Sequence, residues 1–153
     1  MIQYIVFGDF KDSKLQLKTF HEGINCRAFE FFGCHRISED KFVFRVWAPH
    51  AADVSVVLNF NNKNEFTVPM NLLSDGESFE AETKAQVGDK YVYKITTIDG
   101  RILYKADPYA FRSDLLNSFA SVVEEMPLSV DSGTLPQKFD EPVNIYEVNL
   151  LSW

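Results

Sequence analysis

The stretch Phe42-Val43-Phe44-Arg45-Val46-Trp47-Ala48-Pro49 constrains the fold more than any other part of the chain. Phe42, Phe44 and Val46 fall on one side of an extended backbone, and Val43, Arg45 and Trp47 on the other. A period of two, carried by aromatic and β-branched residues, marks a strand with one buried face. Pro49 ends it, because proline has no N–H for the ladder. The segment reads as the central strand of an all-β core. Trp47 lies on that strand and reads as core rather than as a surface platform.

The residues after it repeat the pattern. Ala51-Ala52-Asp53 reads as a turn, and Val54, Val56 and Leu58 then alternate with Ser55 and Val57. Residues 59–64 are Asn-rich and read as a polar loop, since Asn tolerates left-handed backbone. Residues 66–70 read as an edge strand because of Pro69. Ser74-Asp75-Gly76 turns the chain into a strand with Phe79, Ala81 and Thr83 on one face and Glu80 and Glu82 towards solvent. Gly88-Asp89 leads into residues 91–98, and Asp99-Gly100 joins these to residues 101–104. That dipeptide predicts a hairpin whose two central positions both need positive φ. Strands thus recur roughly every ten residues, the rhythm of a β-sandwich. The rhythm breaks at Ala106-Asp107-Pro108-Tyr109-Ala110-Phe111. Asp107 is placed to cap and Pro108 to open a single helical turn. Residues 118–123 read as a last short strand.

The flanks are less regular. Residues 2–7 predict a short strand, followed by a polar, Lys-rich connection to about Lys18. Residues 20–35 are dense in aromatics but fit neither period, and read as an irregular or short-helical segment packed on a neighbour. Residues 126–142 contain Pro127, Pro136 and Pro142 and read as a linker. Residues 143–151 are again strand-like and are expected to begin a further domain.

Among 153 residues, 14 are Phe, which fits an aromatic-filled core. A net charge of −7 argues against nucleic acid and against an anionic membrane surface, which both need a concentrated basic patch. A neutral ligand such as a sugar is indifferent to that charge. Two cysteines, no basic-flanked leader and no run near the ~20 apolar residues of a span predict a reduced, cytoplasmic protein.

No catalytic constellation is visible. His21, His35 and His50 are scattered, and no Gly-x-Ser-x-Gly, phosphate loop or dinucleotide glycine pattern occurs. Cys26, Cys34, His35 and His21 offer the residue types of a metal site, against a plainer reading as buried thiols and surface histidines. Their spacing is wider than structural zinc prefers, so no metal and no cofactor is expected. Glu80, Glu82, Glu124 and Glu125 read as solvated strand faces and Asp107 as a cap, so none is expected to act as acid or nucleophile. Sugar recognition needs flat aromatics with a few amide or ammonium donors. Asn61, Asn62 and Lys94, with any exposed member of Tyr91, Tyr93 and Tyr104, are the residues that would supply it. The same tyrosines read rather as half-core, half-surface strand residues with hydroxyls in water.

Several stretches carry a resemblance when taken together. They are Phe20-His21-Glu22-Gly23, Arg27-Ala28-Phe29-Glu30 to Gly33-Cys34-His35, Phe44-Arg45-Val46-Trp47-Ala48-Pro49, Lys105-Ala106-Asp107-Pro108-Tyr109-Ala110-Phe111, Ala120-Ser121-Val122-Val123 and Ile145-Tyr146-Glu147-Val148-Asn149-Leu150-Leu151-Ser152-Trp153. In this order they resemble the N-terminal region of bacterial 1,4-α-glucan (glycogen) branching enzymes, from Phe20 to the end. The resemblance implies an all-β, immunoglobulin-like (E-set) sandwich of the family 48 carbohydrate-binding-module type. It implies an N-terminal segment at residues 1–38 packing on a sandwich at 39–125, a linker at 126–142, and the start of a (β/α)8 catalytic barrel at 143–153. The parent enzymes transfer α-1,4-glucan segments to form α-1,6 branches through carboxylates of the barrel, which have no counterpart here. The implied partners are α-1,4-glucan or glycogen and the chain's own barrel. Asp107, Pro108, Tyr109, Phe111, Tyr146 and Trp153 would face that barrel. Two tryptophans of related glycan-binding modules are replaced, by Lys63 after the Phe-Asn-Asn loop and by Ile102 after the Asp-Gly turn, while Lys94 is kept. Asn149 stands where the family shows His in the final motif. A stand-alone α-glucan-binding module and a protein-interaction sandwich are the alternatives.

Overall fold

The computed structural model describes residues 13–114 and 119–125. Among them the chain forms a helix, α1 (Ser13–His21), and a 3-10 turn at Ala28–Glu30. The strands are β1 (Gly33–Arg36), β2 (Lys41–Trp47), β3 (Ala51–Leu58), β4 (Phe66–Pro69), β5 (Asn71–Leu72), β6 (Ser78–Lys84), β7 (Lys90–Thr97), β8 (Ile102–Lys105), β9 (Arg112–Ser113) and β10 (Ser121–Val122). All pairings are antiparallel. One sheet has the order β1-β2-β6-β5, and the other β4-β3-β7-β10-β9, with β8 also on β7.

The two sheets bury their facing sides in one core. Phe42, Phe44 and Val46 of β2 and Phe79 and Ala81 of β6 meet Val54, Val56 and Leu58 of β3 and Tyr91 and Tyr93 of β7. This is the face that the alternation 42-44-46 predicts. The Phe44 and Tyr91 rings pack edge to face at 5.1 Å. Fully burying each such side chain contributes roughly 1.5–3 kcal/mol.

The other side of β2 is buried too. Leu17 of α1, Ala28, Phe31 and Phe32 form a second cluster, with Phe20, Leu73 and Tyr109 packed on it. Val43 and Arg45, on the same side of β2, are buried rather than solvated. The Arg45 guanidinium lies 4.5 Å over the Phe31 ring, and its Nε donates to Glu80 Oε2 at 2.5 Å. Glu80 is therefore a clamp for a buried cation, not part of a solvated face.

Other expectations change in ways that have physical causes. From Ser13 the polar connection expected up to Lys18 is instead the first part of α1, and β1 lies within the segment expected to be irregular, ahead of the boundary at residue 39. Ala51 to Asp53 belong to β3 across a register shift; the turn is one step earlier, closed by Ala51 N–H to Ala48 C=O at 3.0 Å. The β7–β8 hairpin is present, but Gly100 alone in it has positive φ, at 83°. Gly100 N–H bonds Thr97 C=O and Thr97 N–H bonds Arg101 C=O, which is a three-residue loop with a left-handed third residue. Asn59 and Asn61 do take left-handed backbone, with φ of 54° and 61°, and β4 with Pro69 is an edge strand. Residues 106–111 form a turn, not a helix. The predicted strand at 2–7, the linker at 126–142 and the segment 143–153 lie outside the described residues.

Candidate functional site

Because Tyr91, Tyr93 and Ile95 point into the core, Val92, Lys94 and Thr96 point out from the six-stranded sheet. Register completes that face. Lys94 stands directly between Ser55 of β3 and Tyr104 of β8. Ile102, opposite Thr96, is on the same side. Val57, Val92 and Ala120 form a small buried base, with Phe60 packed on it.

Above that base runs an aromatic ridge. Phe60 lies 5.9 Å from Tyr104 and 5.7 Å from Phe119 between ring centroids. Tyr104 is 44 % exposed and Phe119 55 %. Lys94 has no carboxylate partner among the described residues. A ridge of open rings beside an ammonium can stack on a pyranose and donate to its hydroxyls. Tyr91 and Tyr93 take no part, since both are fully buried.

Asn61 and Asn62 sit on the exposed loop at the ridge's end. Glu65 Oε2 accepts from Asn61 N–H at 2.9 Å, and Asn62 Oδ1 accepts from Lys63 N–H at 2.7 Å. Sequence reasoning missed Phe60 and Phe119. Phe60 sits within the Phe-Asn-Asn signal already singled out, but Phe119 reaches the ridge only through tertiary packing.

Asp107 is buried, only 6 % exposed, and its carboxylate turns into the sandwich. Its Oδ2 accepts from the hydroxyls of Tyr91 at 2.7 Å and Tyr93 at 3.1 Å, and its Oδ1 from Tyr109 N–H at 2.8 Å. Its own N–H donates to Ser121 Oγ at 2.8 Å. Burial raises its pKa above the ordinary carboxylate value, although the three donated hydrogen bonds pull the other way. Burial, then the nearby Asp107 charge, raises the Tyr91 and Tyr93 hydroxyls well above their usual range. The capping role read from the sequence is real; the burial is not visible there.

Pro108 is exposed, and Tyr109 and Phe111 are half-buried. Tyr109 stacks on Phe32 at 5.5 Å, and Phe111 meets His35 edge-on at 5.7 Å. Gly33 allows the close approach: a Cβ there would lie 3.0 Å from the Tyr109 carbonyl oxygen. Tyr146 and Trp153 lie outside the described residues. His35 is buried, contrary to its reading as a surface histidine, and its Nε2 lies 2.8 Å from Phe32 C=O. Burial lowers its pKa. Cys34 is buried, with its thiol pushed up chiefly by desolvation, and Cys26 is exposed. The described residues contain no group of His, Cys, Asp and Glu able to hold a metal ion, and no helix among them is long and apolar enough to cross a membrane.

Residues 31–110 match the family described as carbohydrate-binding module 48 (isoamylase N-terminal domain). The chain is similar to the 1,4-alpha-glucan branching enzyme GlgB of Bacillus caldolyticus, 37% identical over 150 residues. That match covers 91% of this chain and 22% of the relative. The Fusobacterium nucleatum subsp. nucleatum enzyme of the same name is 38% identical over 148 residues, covering 92% of this chain and 24% of the relative. The chain therefore spans about a quarter or less of these curated relatives. Among solved structures, the type I pullulanase of Bacillus subtilis complexed with maltose is similar, with a TM-score of 0.52 and 26% identity. It covers 63% of this chain and 14% of that one.

Proposed function

The chain belongs to the carbohydrate-binding module 48 family, and from that premise we propose that it is the non-catalytic N-terminal module of a glycogen branching enzyme. In this reading the immunoglobulin-like sandwich contacts α-1,4-glucan through the Lys94 face. It also packs beside a catalytic barrel that performs the branching reaction in the cytoplasm. The single observation that carries glucan contact is the open ridge Phe60–Tyr104–Phe119 in register with Lys94. It supplies a stacking surface even though Lys63 and Ile102 stand where related modules carry tryptophan. Asn61 and Asn62 add amide groups at one end of it. Barrel packing is supported by the likeness over nearly the whole chain to much longer branching enzymes. Pro108, Tyr109 and Phe111 give that barrel an apolar corner.

Titration of the 15N-labelled chain with maltoheptaose tests the glucan contact. The amides of Lys94, Tyr104 and the 59–64 loop should shift saturably, and Tyr104→Ala should weaken binding about fivefold. No shift at millimolar sugar refutes the Lys94 face. For the barrel contact, the chain is added to the catalytic portion of the Bacillus caldolyticus relative. Binding that Phe111→Ser abolishes supports the contact, and no association refutes it.

A further inference from the structure

Trp47 closes β2 on the outer side of the four-stranded sheet, on the opposite sheet from Lys94, and is 44 % exposed. Its ring is held in place. The indole Nε1–H donates to Glu77 Oε2 at 2.9 Å. Phe20 of α1 meets the ring edge-on, with centroids 5.6 Å apart and planes at 71°. His21 stands at the same rim, with Nε2 3.0 Å from Asp75 Oδ2 and Nδ1 3.9 Å from Glu77 Oε2. Asp75 in turn accepts from Ser78 Oγ at 2.6 Å and from the backbone N–H of Ser78 and Glu77 at 3.0 and 3.3 Å. The Glu77 and His21 side chains still reach water, at 42% and 36% exposure.

An exposed ring that is already oriented stacks on a ligand without a further ordering cost. The carboxylate beside it has lone pairs beyond the one taken by the indole and accepts from hydroxyl groups. Glu77, Asp75 and the net charge of −7 repel an anionic ligand. A cation prefers several ring faces turned towards it, whereas Phe20 stands at 71° to the Trp47 ring in a T-shaped contact rather than building a cage around it. The complement is a neutral ring with an apolar C–H face and hydroxyls at its edge. We propose that Trp47, Glu77 and His21 form a second saccharide platform, which takes a hexopyranose unit of an α-glucan on the sheet opposite the Lys94 face. The saccharide class rests on the α-glucan reading above; the geometry of the platform does not.

The Trp47 indole N–H resonance reports this directly, with Trp47→Phe assigning it against Trp153. Maltoheptaose should move it saturably, with a midpoint that Tyr104→Ala leaves unchanged and Glu77→Ala raises about fivefold. A shift of the Lys94-face amides with a stationary Trp47 indole overturns the second platform alone. Silence at both faces overturns it together with the α-glucan reading. An equal shift on adding tetramethylammonium overturns the saccharide assignment.

Discussion

Replacing Asp107 tests whether one buried carboxylate ties the two central tyrosines to the 107–111 turn. Asp107→Ala removes the acceptor of the Tyr91 and Tyr93 hydroxyls and of Tyr109 N–H. A buried donor left without its partner costs roughly 1–3 kcal/mol. Tyr93 keeps the Arg45 carbonyl at 3.4 Å as a poorer substitute, which lowers its share. The sum, with a small cavity, is about 3–5 kcal/mol, a large part of the ~5–15 kcal/mol that holds a domain of this size. Asp107→Asn keeps the shape and one carbonyl oxygen, so about 1–2 kcal/mol is expected. Urea unfolding at fixed pH measures both. The pH dependence adds a sign. Desolvation raises the Asp107 pKa above 3.8 in the fold, so the folded state holds the proton more tightly than the unfolded one. Its contribution is full below about 3.8 and declines as pH rises through the folded value. The stability gap between wild type and Asp107→Asn should therefore widen on acidification. A gap that narrows, or an alanine variant costing under about 1 kcal/mol, refutes the reasoning.

Three further outcomes follow from the geometry. Gly33→Ala combines φ of +100° with a Cβ 3.0 Å from the Tyr109 carbonyl oxygen. It should cost about 2–4 kcal/mol, at least ~1 kcal/mol more than Gly88→Ala, whose Cβ meets open space, by thermal unfolding. Glu80→Ala strips the carboxylate from the buried Arg45 side chain and should cost about 1–3 kcal/mol in urea; Glu82→Ala on the exposed ion pair with Lys41 should cost under ~1 kcal/mol. His35 is buried with its pKa lowered, mainly by desolvation, so its contribution is present above about 6.5 and lost as pH falls. His35→Gln should remove that loss, so that its deficit against wild type shrinks between about pH 7 and pH 5.

The sandwich strands were legible because one wet or weakly covered side and one dry side impose alternation on a sequence. Val54, Val56 and Leu58, or Tyr91 and Tyr93, announce their face without any knowledge of their neighbours. What covers the second side is a different question. Val43 and Arg45 alternate with the core residues, yet both are buried as well, Arg45 against the Phe31 ring. Trp47, on the same side but at the strand's end, escapes that cover and stays half open. The helix α1 itself was missed because its turns are Lys-rich and few of its side chains are apolar. It is held by Leu17 and Phe20 against the sheet, a tertiary cause that propensity does not register. The Lys94 and Asn61–Asn62 candidates were legible as residue types, but the ridge that gives them meaning needs Phe119, which is remote in sequence.

Since β2 has aromatic cover on both sides, the strand is a shared partition, and the boundary of the family match at residue 31 falls in the middle of the Leu17–Ala28–Phe31–Phe32 cluster. A shortened protein starting at that point would discard Leu17, Phe20 and Ala28 and leave Phe31 and Phe32 bare. Such a truncation should clump on expression, whereas one beginning ahead of Ser13 keeps the partition dressed. Anyone dissecting this module by recombinant trimming should cut upstream of the helix.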